Sequence, residues 1–246
     1  MAQSERGAIR LFNDFFGVDN YLSLTNDTAS AGDFYLGGES FEVATAGALG
    51  LQSDALSGVV ELLTDTTDKD TIHIGTSVAF DVALMAPIVV EARVRFDALT
   101  ARAAFIGLTS VLSLDEQMAD ILDYSAATTV ALTATLAGFF LSSEFTDSAD
   151  WHMVYYGGTT TGETTSSSID ADADAVAGEW QVLRLEVDNN GTARWYIDGV
   201  LKQTVAGAIS TTTDLAVCCG VTANTTTAAR MDVDYLLVTA NRDWTV

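Results

Sequence analysis

An all-β protein, a two-sheet antiparallel sandwich with one short helix at most, is what this sequence predicts, and three observations carry the prediction. Leu183, Leu185 and Val187 alternate with Arg184, Glu186 and Asp188, the period of a strand with one apolar and one wet face. Asn190-Gly191 and Asp198-Gly199 follow at hairpin spacing and offer the positive φ that tight turns need, so residues 179–205 read as a three-stranded meander. The same two-residue period recurs along the chain, whereas helical spacing is found once.

Taken in order, strands are expected at 9–16, 34–36, 41–45, 59–64 and 71–74. Residues 88–96 give the clearest strand of the N-terminal half: Ile88, Val90, Ala92, Val94 and Phe96 alternate with a side that carries Glu91, Arg93 and Arg95. Strands then follow at 103–108, 138–141 and 151–156, through the meander, and at 215–221. In the closing strand, 231–238, Met231, Val233, Tyr235 and Leu237 fall on one side, so Leu183, Leu185, Val187, Val233, Tyr235 and Leu237 are the expected core. The exception is 114–124, where Leu114, Met118, Ile121 and Leu122 sit at helical spacing behind Ser113 as N-cap. Roughly a dozen short strands fit the two layers of a jelly roll. Pro87 is the single proline and no linker composition divides the chain, so residues 9–246 are expected to form one domain behind a polar arm, 1–8.

Charge narrows the partners. With 34 acidic and 11 basic residues the net charge is −23, which repels phosphate backbones and anionic bilayers, so neither nucleic acid nor membrane is an expected partner. The first residues, Met1-Ala2-Gln3-Ser4-Glu5-Arg6-Gly7, lack the apolar run of a signal peptide, which predicts synthesis in the cytoplasm. Cys218 and Cys219 are adjacent, and neighbours in a strand point to opposite faces. Two reduced, buried thiols are expected, with a vicinal disulfide as the alternative.

Candidate chemistry is sparse. A retaining glycosidase needs two carboxyls about 5 Å apart, which a strand achieves with acids at alternate positions. Here Arg93 and Arg95 stand between Glu91 and Asp97, a pattern that reads as cross-strand ion pairing over a solvated face. His73 and His152 sit inside strand patterns with no metal-helix spacing, and no nucleophile elbow or phosphate loop occurs, so no catalytic residue is assigned. Asp170, Asp172 and Asp174 could meet a hard cation such as calcium, although Ala175 and Gln181 stand where an EF-hand needs glycine and glutamate. Trp151, Tyr155 and Tyr156, followed by Gly157-Gly158, could stack on sugar rings or simply fill a core.

Two resemblances follow from these residues. The meander from Trp180 through Trp195-Tyr196-Ile197-Asp198-Gly199, with the closing Asp234-Tyr235 strand, resembles the concanavalin A-like lectin and glucanase jelly roll over roughly the last 70 residues. The glucanase Glu-x-Asp-x-Glu motif is absent. The run Ile9 through Asn13-Asp14-Phe15-Phe16-Gly17, the Glu91-Ala92-Arg93-Val94 strand and Phe105-Ile106-Gly107-Leu108 resemble jelly-roll structural proteins of tailed-phage virions. That second resemblance implies a non-enzymatic capsid decoration, or cement, protein on the virion surface, made in the host cytoplasm. It would be a homotrimer bound to the major capsid protein, with Arg6 and Arg10 meeting the acidic lattice and the Thr-rich stretches 159–168 and 222–227 between copies. A carbohydrate-binding module, on a fibre or free, is the second expectation, with Trp151, Tyr155 and Tyr156 as its platform. An unusual glycosidase is the third.

Overall fold

A computed structural model of the chain describes residues 7–15, 30–31, 34–39, 47–51, 58–112, 117–126 and 128–242. The expected strand at 41–45, Arg6, Ser113 and Leu114 lie outside them. The strands of the first half are β1 (Ala8–Asn13), β2 (Ser30–Ala31), β3 (Phe34–Gly37), β4 (Ala48–Leu51), β5 (Val60–Leu63), β6 (Thr71–Gly75), β7 (Ile88–Phe96) and β8 (Arg102–Thr109). Those of the second half are β9 (Leu122–Ala126), β10 (Thr129–Leu132), β11 (Leu136–Ser142), β12 (Asp150–Tyr156), β13 (Asp170–Asp174), β14 (Gln181–Val187), β15 (Ala193–Ile197), β16 (Val200–Val205), β17 (Ala216–Ala223) and β18 (Arg230–Asn241). Among the described residues the named helices are single turns, α1 (Val82–Met85), α2 (Met118–Ile121) and α3 (Ser166–Ile169), rather than one element.

Two antiparallel sheets form the sandwich. The first runs β16-β15-β14-β7-β18-β5-β4, with β1 also pairing with β18. The second runs β13-β12-β11-β8-β17-β6-β3-β2. Alternation in the sequence places Leu183, Leu185 and Val187 of β14 against Ile106, Phe139, Trp151 and Val217 within one continuous core. Both buried indoles are satisfied: Trp195 Nε1 donates to the Gly138 carbonyl at 2.9 Å, and Trp151 Nε1 to Gln181 Oε1 at 2.9 Å. In the meander Asp198 and Gly199 both take positive φ, 50° and 79°, as a two-residue turn requires. At the other hairpin only Gly191 does so, because Asp188 through Thr192 make a longer loop.

On the outer face of the first sheet the expected ion pairing is present and extends further than β7. Arg184 bridges Glu91 at 3.1 Å and Glu186 at 2.6 Å, while Arg93 meets Asp234 and Arg95 meets Asp232, each at 2.6 Å. Arg194 pairs with Asp188, and Arg230 with Glu61 and Asp232. The Trp180 ring lies under the Arg93 and Arg95 guanidinium groups at 4.8 and 4.6 Å.

The outer face of the second sheet is dry. A second apolar cluster covers it, in which Phe105, Phe140, Val154 and Cys218 of the sheet meet Met118, Ile121, Leu122, Tyr124 and Val130 of the α2-β9-β10 segment. This cover corrects the expected helix over 114–124. The helix lasts one turn, and Leu122 and Tyr124 belong to a strand because their partners are tertiary. Tyr124 packs its ring 5.1 Å from Phe140 and donates its hydroxyl to Asn224 Oδ1 at 2.8 Å. Such contacts outweigh a helical preference of a few tenths of a kcal/mol per residue.

A second correction concerns phase. The pairing of β18 with β7 shifts register between Val233 and Tyr235, a bulge that reverses the alternation. Met231 and Val233 point inward, but beyond the bulge it is Leu236, Val238 and Ala240 that are buried, not Tyr235 and Leu237. Tyr235 instead faces outward and donates to Glu91 Oε1 at 2.8 Å. Of the Thr-rich stretch 222–227, Thr222 is also not surface: it is fully buried in β17, with its Oγ1 2.7 Å from Thr71 Oγ1. Neither cysteine forms a disulfide: Cys218 lies in the outer cluster and Cys219 in the main core, where burial pushes its thiol up to about 12.

Packing and titration each yield an expectation. Leu185→Ala and Leu236→Ala should each cost about 2–5 kcal/mol in chemical denaturation, whereas Leu237→Ala should cost under about 1 kcal/mol. Equal costs at 236 and 237 would show that the bulge is misplaced. Burial, with the charges of Asp65 and Glu39, pushes the Asp70 carboxyl from 3.8 up to about 7. The folded chain therefore keeps a proton that the unfolded chain has lost, and stability falls as pH rises from about 4 to 7. His73 has the opposite sign, since burial lowers it from 6.5 to about 4 and stability falls as pH drops through that window. Asp70→Asn should thus gain stability over the parent at pH 8 and gain none at pH 4, read as the difference in unfolding midpoints.

Candidate functional site

The polar feature of the second sheet sits at its β12-β13 corner, beyond the reach of the apolar cover. Along β12, Trp151, Met153 and Tyr155 enter the core, so Asp150, His152 and Val154 face the other way. Edge strand β13 pairs Asp174 with Asp150 and Asp170 with His152, with an irregularity between the pairs. Asp172 lies in that irregularity with φ 48°, held by its N–H donating to Asp170 Oδ1 at 2.7 Å. Asp147 arrives from the turn that precedes β12.

Carboxylate oxygens of Asp147, Asp150 and Asp174 lie within 4.8 Å of one another. Asp150 is 8% exposed, and burial, the neighbouring carboxyls of Asp174 and Asp147, and the charge of Asp170 together push it up to about 8. Among the described residues no lysine or arginine forms an ion pair with any of these four acids. Beside the trio opens a cleft of about 340 Å³, lined by Thr128, Thr146, Asp147, His152, Thr165, Ser166, Ser167 and Asp170. His152 is 1% exposed, and its ring packs edge-on against Phe145 at 4.7 Å. Burial lowers its pKa against the upward pull of the Asp170 and Asp147 charges and of the Asp150 and Phe140 backbone, which favours a neutral ring.

The residues singled out from sequence are thus sorted differently. Asp174 joins the trio and Asp170 lines the cleft, but Asp172 is turned outward and falls outside both. Trp151, fully buried, and Tyr155, 4% exposed, are core residues that offer no face to a sugar; Tyr156 is exposed. Arg10 lies in β1, within the strand expected at 9–16, opposite Thr239 and with its guanidinium 5.0 Å over the Phe12 ring. Asp147, Asp150 and His152 were missed as a group. The Asp150-Trp151-His152 alternation placed two of them on one face, yet only the pairing with β13 brings in Asp170 and Asp174.

No protein-family model and no curated protein sequence matches the chain. Solved structures do. It is similar to a β-glucanase of Bacillus licheniformis, with TM-score 0.57 and 11% identity over 93% of this chain and 97% of that one. The carbohydrate recognition domain of Emp46p aligns with TM-score 0.56 and 10% identity over 96% of this chain and 100% of that one. An endo-β-1,4-glucuronan lyase from the fungus Trichoderma reesei aligns with TM-score 0.55 and 10% identity over 94% of both chains. At such identities the likeness shows the fold alone. Enzymes and a recognition domain stand side by side among these neighbours, and the chain has the concanavalin A-like, two-sheet jelly-roll fold they share.

Proposed function

We propose that the protein is a non-catalytic carbohydrate-binding module that receives sugar hydroxyls in the corner cleft of the second sheet. The observation that carries this reading is the cleft's lining, where Thr128, Thr146, Thr165, Ser166 and Ser167 stand with Asp147, Asp170 and the buried His152. Vicinal sugar hydroxyls donate to carboxylates and accept from serine, threonine and imidazole N–H groups, so such a wall matches their chemistry. The fold shared with a carbohydrate recognition domain supports the reading. The acids alone do not decide between binding and catalysis: their 4.8 Å span is close to the about 5 Å of a retaining carboxyl pair, and the turnover screen below separates the two roles.

On a broad glycan array the protein should bind at least one class of glycan, and Asp147→Asn, at an exposed position on the cleft wall, should lose at least tenfold in affinity while keeping its melting temperature. Absence of binding across the array would reject the reading. Hydrolysis and lyase screens should show no turnover; activity abolished by Asp150→Asn would make the protein an enzyme.

The capsid decoration role remains a second reading, and the outer face of the first sheet favours it. There Arg93, Arg95, Arg184, Arg194 and Arg230 nearly balance their acidic partners, which leaves the −23 chain one face able to pack against a neighbour without charge repulsion. Co-sedimentation with capsids, weakened by Arg93→Glu, is the result expected of that role. Failure to sediment with them would remove it.

A further inference from the structure

We infer that the open edge of β16 is where a second copy of this chain pairs, antiparallel and about a twofold axis, so that the first sheets of two copies run on as one. β16 is the end strand of that sheet, and among the described residues only β15 pairs with it. Its outer side therefore presents unpaired backbone donors and acceptors along six residues. Val200 stands opposite Ile197 and Leu201 opposite Tyr196, on the two faces of the strand. They are 59% and 50% exposed, the highest values among the large apolar side chains described. The ends of the second sheet show how an edge is kept from pairing. β13 carries Asp170, Asp172 and Asp174 in an irregular register, and β2 is two residues long. β16 carries no acid, and its one charge, on Lys202, is engaged by the Asp172 carbonyl at 3.1 Å.

Charge identifies the occupant. A chain of −23 repels its own copies wherever acids face acids. From Gly199 to Thr213 there is no aspartate or glutamate, although the chain holds 34 acids, so this edge is a stretch that a second copy can approach. Antiparallel pairing about a twofold is self-complementary, since each strand offers the other the same ladder and the same apolar pair. A peptide-recognising edge adds pockets for alternate side chains. Val200 and Leu201 project instead, which suits an equally flat partner strand. β13 of the neighbouring sheet lies close enough for Lys202 to reach it, so its acids oppose the contact rather than make it. A strand of six residues buries less than the about 800 Å² per partner of a standard interface, which sets a weak, micromolar association.

The contact rests on neither functional reading, and it is measured on the full chain by sedimentation equilibrium up to about 300 μM, above the micromolar range of weak pairs. A monomer–dimer equilibrium that stops at twice the chain mass is expected, because a twofold contact closes. Raising sodium chloride from about 0.05 to 0.5 M should strengthen it by screening the acids. Hydrogen exchange over 200–205 should slow as the dimer forms. The double variant Val200→Glu, Leu201→Glu, at exposed positions, should keep its melting temperature and stay monomeric, whereas Leu84→Glu, at an exposed apolar position on α1, should dimerise like the parent. A monomer at every concentration, growth beyond the dimer, weakening by salt, unchanged exchange over 200–205, or a dimer that survives the double variant would overturn the edge contact.

Discussion

Strands β8, β11 and β17 are buried along their whole length, and this double burial is the constraint on which the rest of the architecture depends. An antiparallel sheet commonly leaves one face to water and advertises it by alternating polar residues. Here Phe105, Phe140, Val154 and Cys218 give the second sheet an apolar outer face as well. That face must be covered, and the chain covers it with its own α2-β9-β10 segment. The broad face that might have held a ligand is thereby used for stability. Acids, hydroxyl-bearing residues and His152 collect at the β12-β13 corner beside it.

The first sheet solves the same problem in the opposite way. Its outer face is wet and carries a ladder of arginines and carboxylates. Each exposed pair is worth about 0–1 kcal/mol, so the ladder matters less for stability than for where charge resides. Five of the 11 basic residues form ion pairs on this one face, and Arg10 lies over Phe12 on it as well. The acid corner of the second sheet is correspondingly left without a basic partner among the described residues, which is why its carboxyls crowd one another unneutralised.

Most of the fold was legible because strand periodicity is a local property. Leu183, Leu185 and Val187, and Ile88 through Phe96, announce their faces within a few residues, and each is buried as expected. What failed depended on partners distant in sequence. Leu236-Leu237 offers an apolar residue in either phase, and only the bulge opposite β7 decides between them. Leu122 continues the helical spacing of Met118 yet opens a strand, and Tyr124 answers to Phe140 and Asn224. The acidic repeat at 170–174 was visible as an acidic repeat, yet an irregular edge strand separates its members and joins Asp174 to Asp147 and Asp150. The indole of Trp151 shows the same limit, since a stacking platform and a core residue are identical in sequence.

The adjacent cysteines give this architecture a built-in gauge of how it comes apart. Cys218 lies beneath the β9-β10 cover and Cys219 between the two sheets, on the same strand and fully buried. A thiol reagent can reach the first only when the cover lifts, and the second only when the sandwich itself parts. Local and global opening, which usually need amide exchange to tell apart, are thus written into two neighbouring sulfur atoms. The ratio of their alkylation rates measures how far the cover moves independently of the sheets it protects.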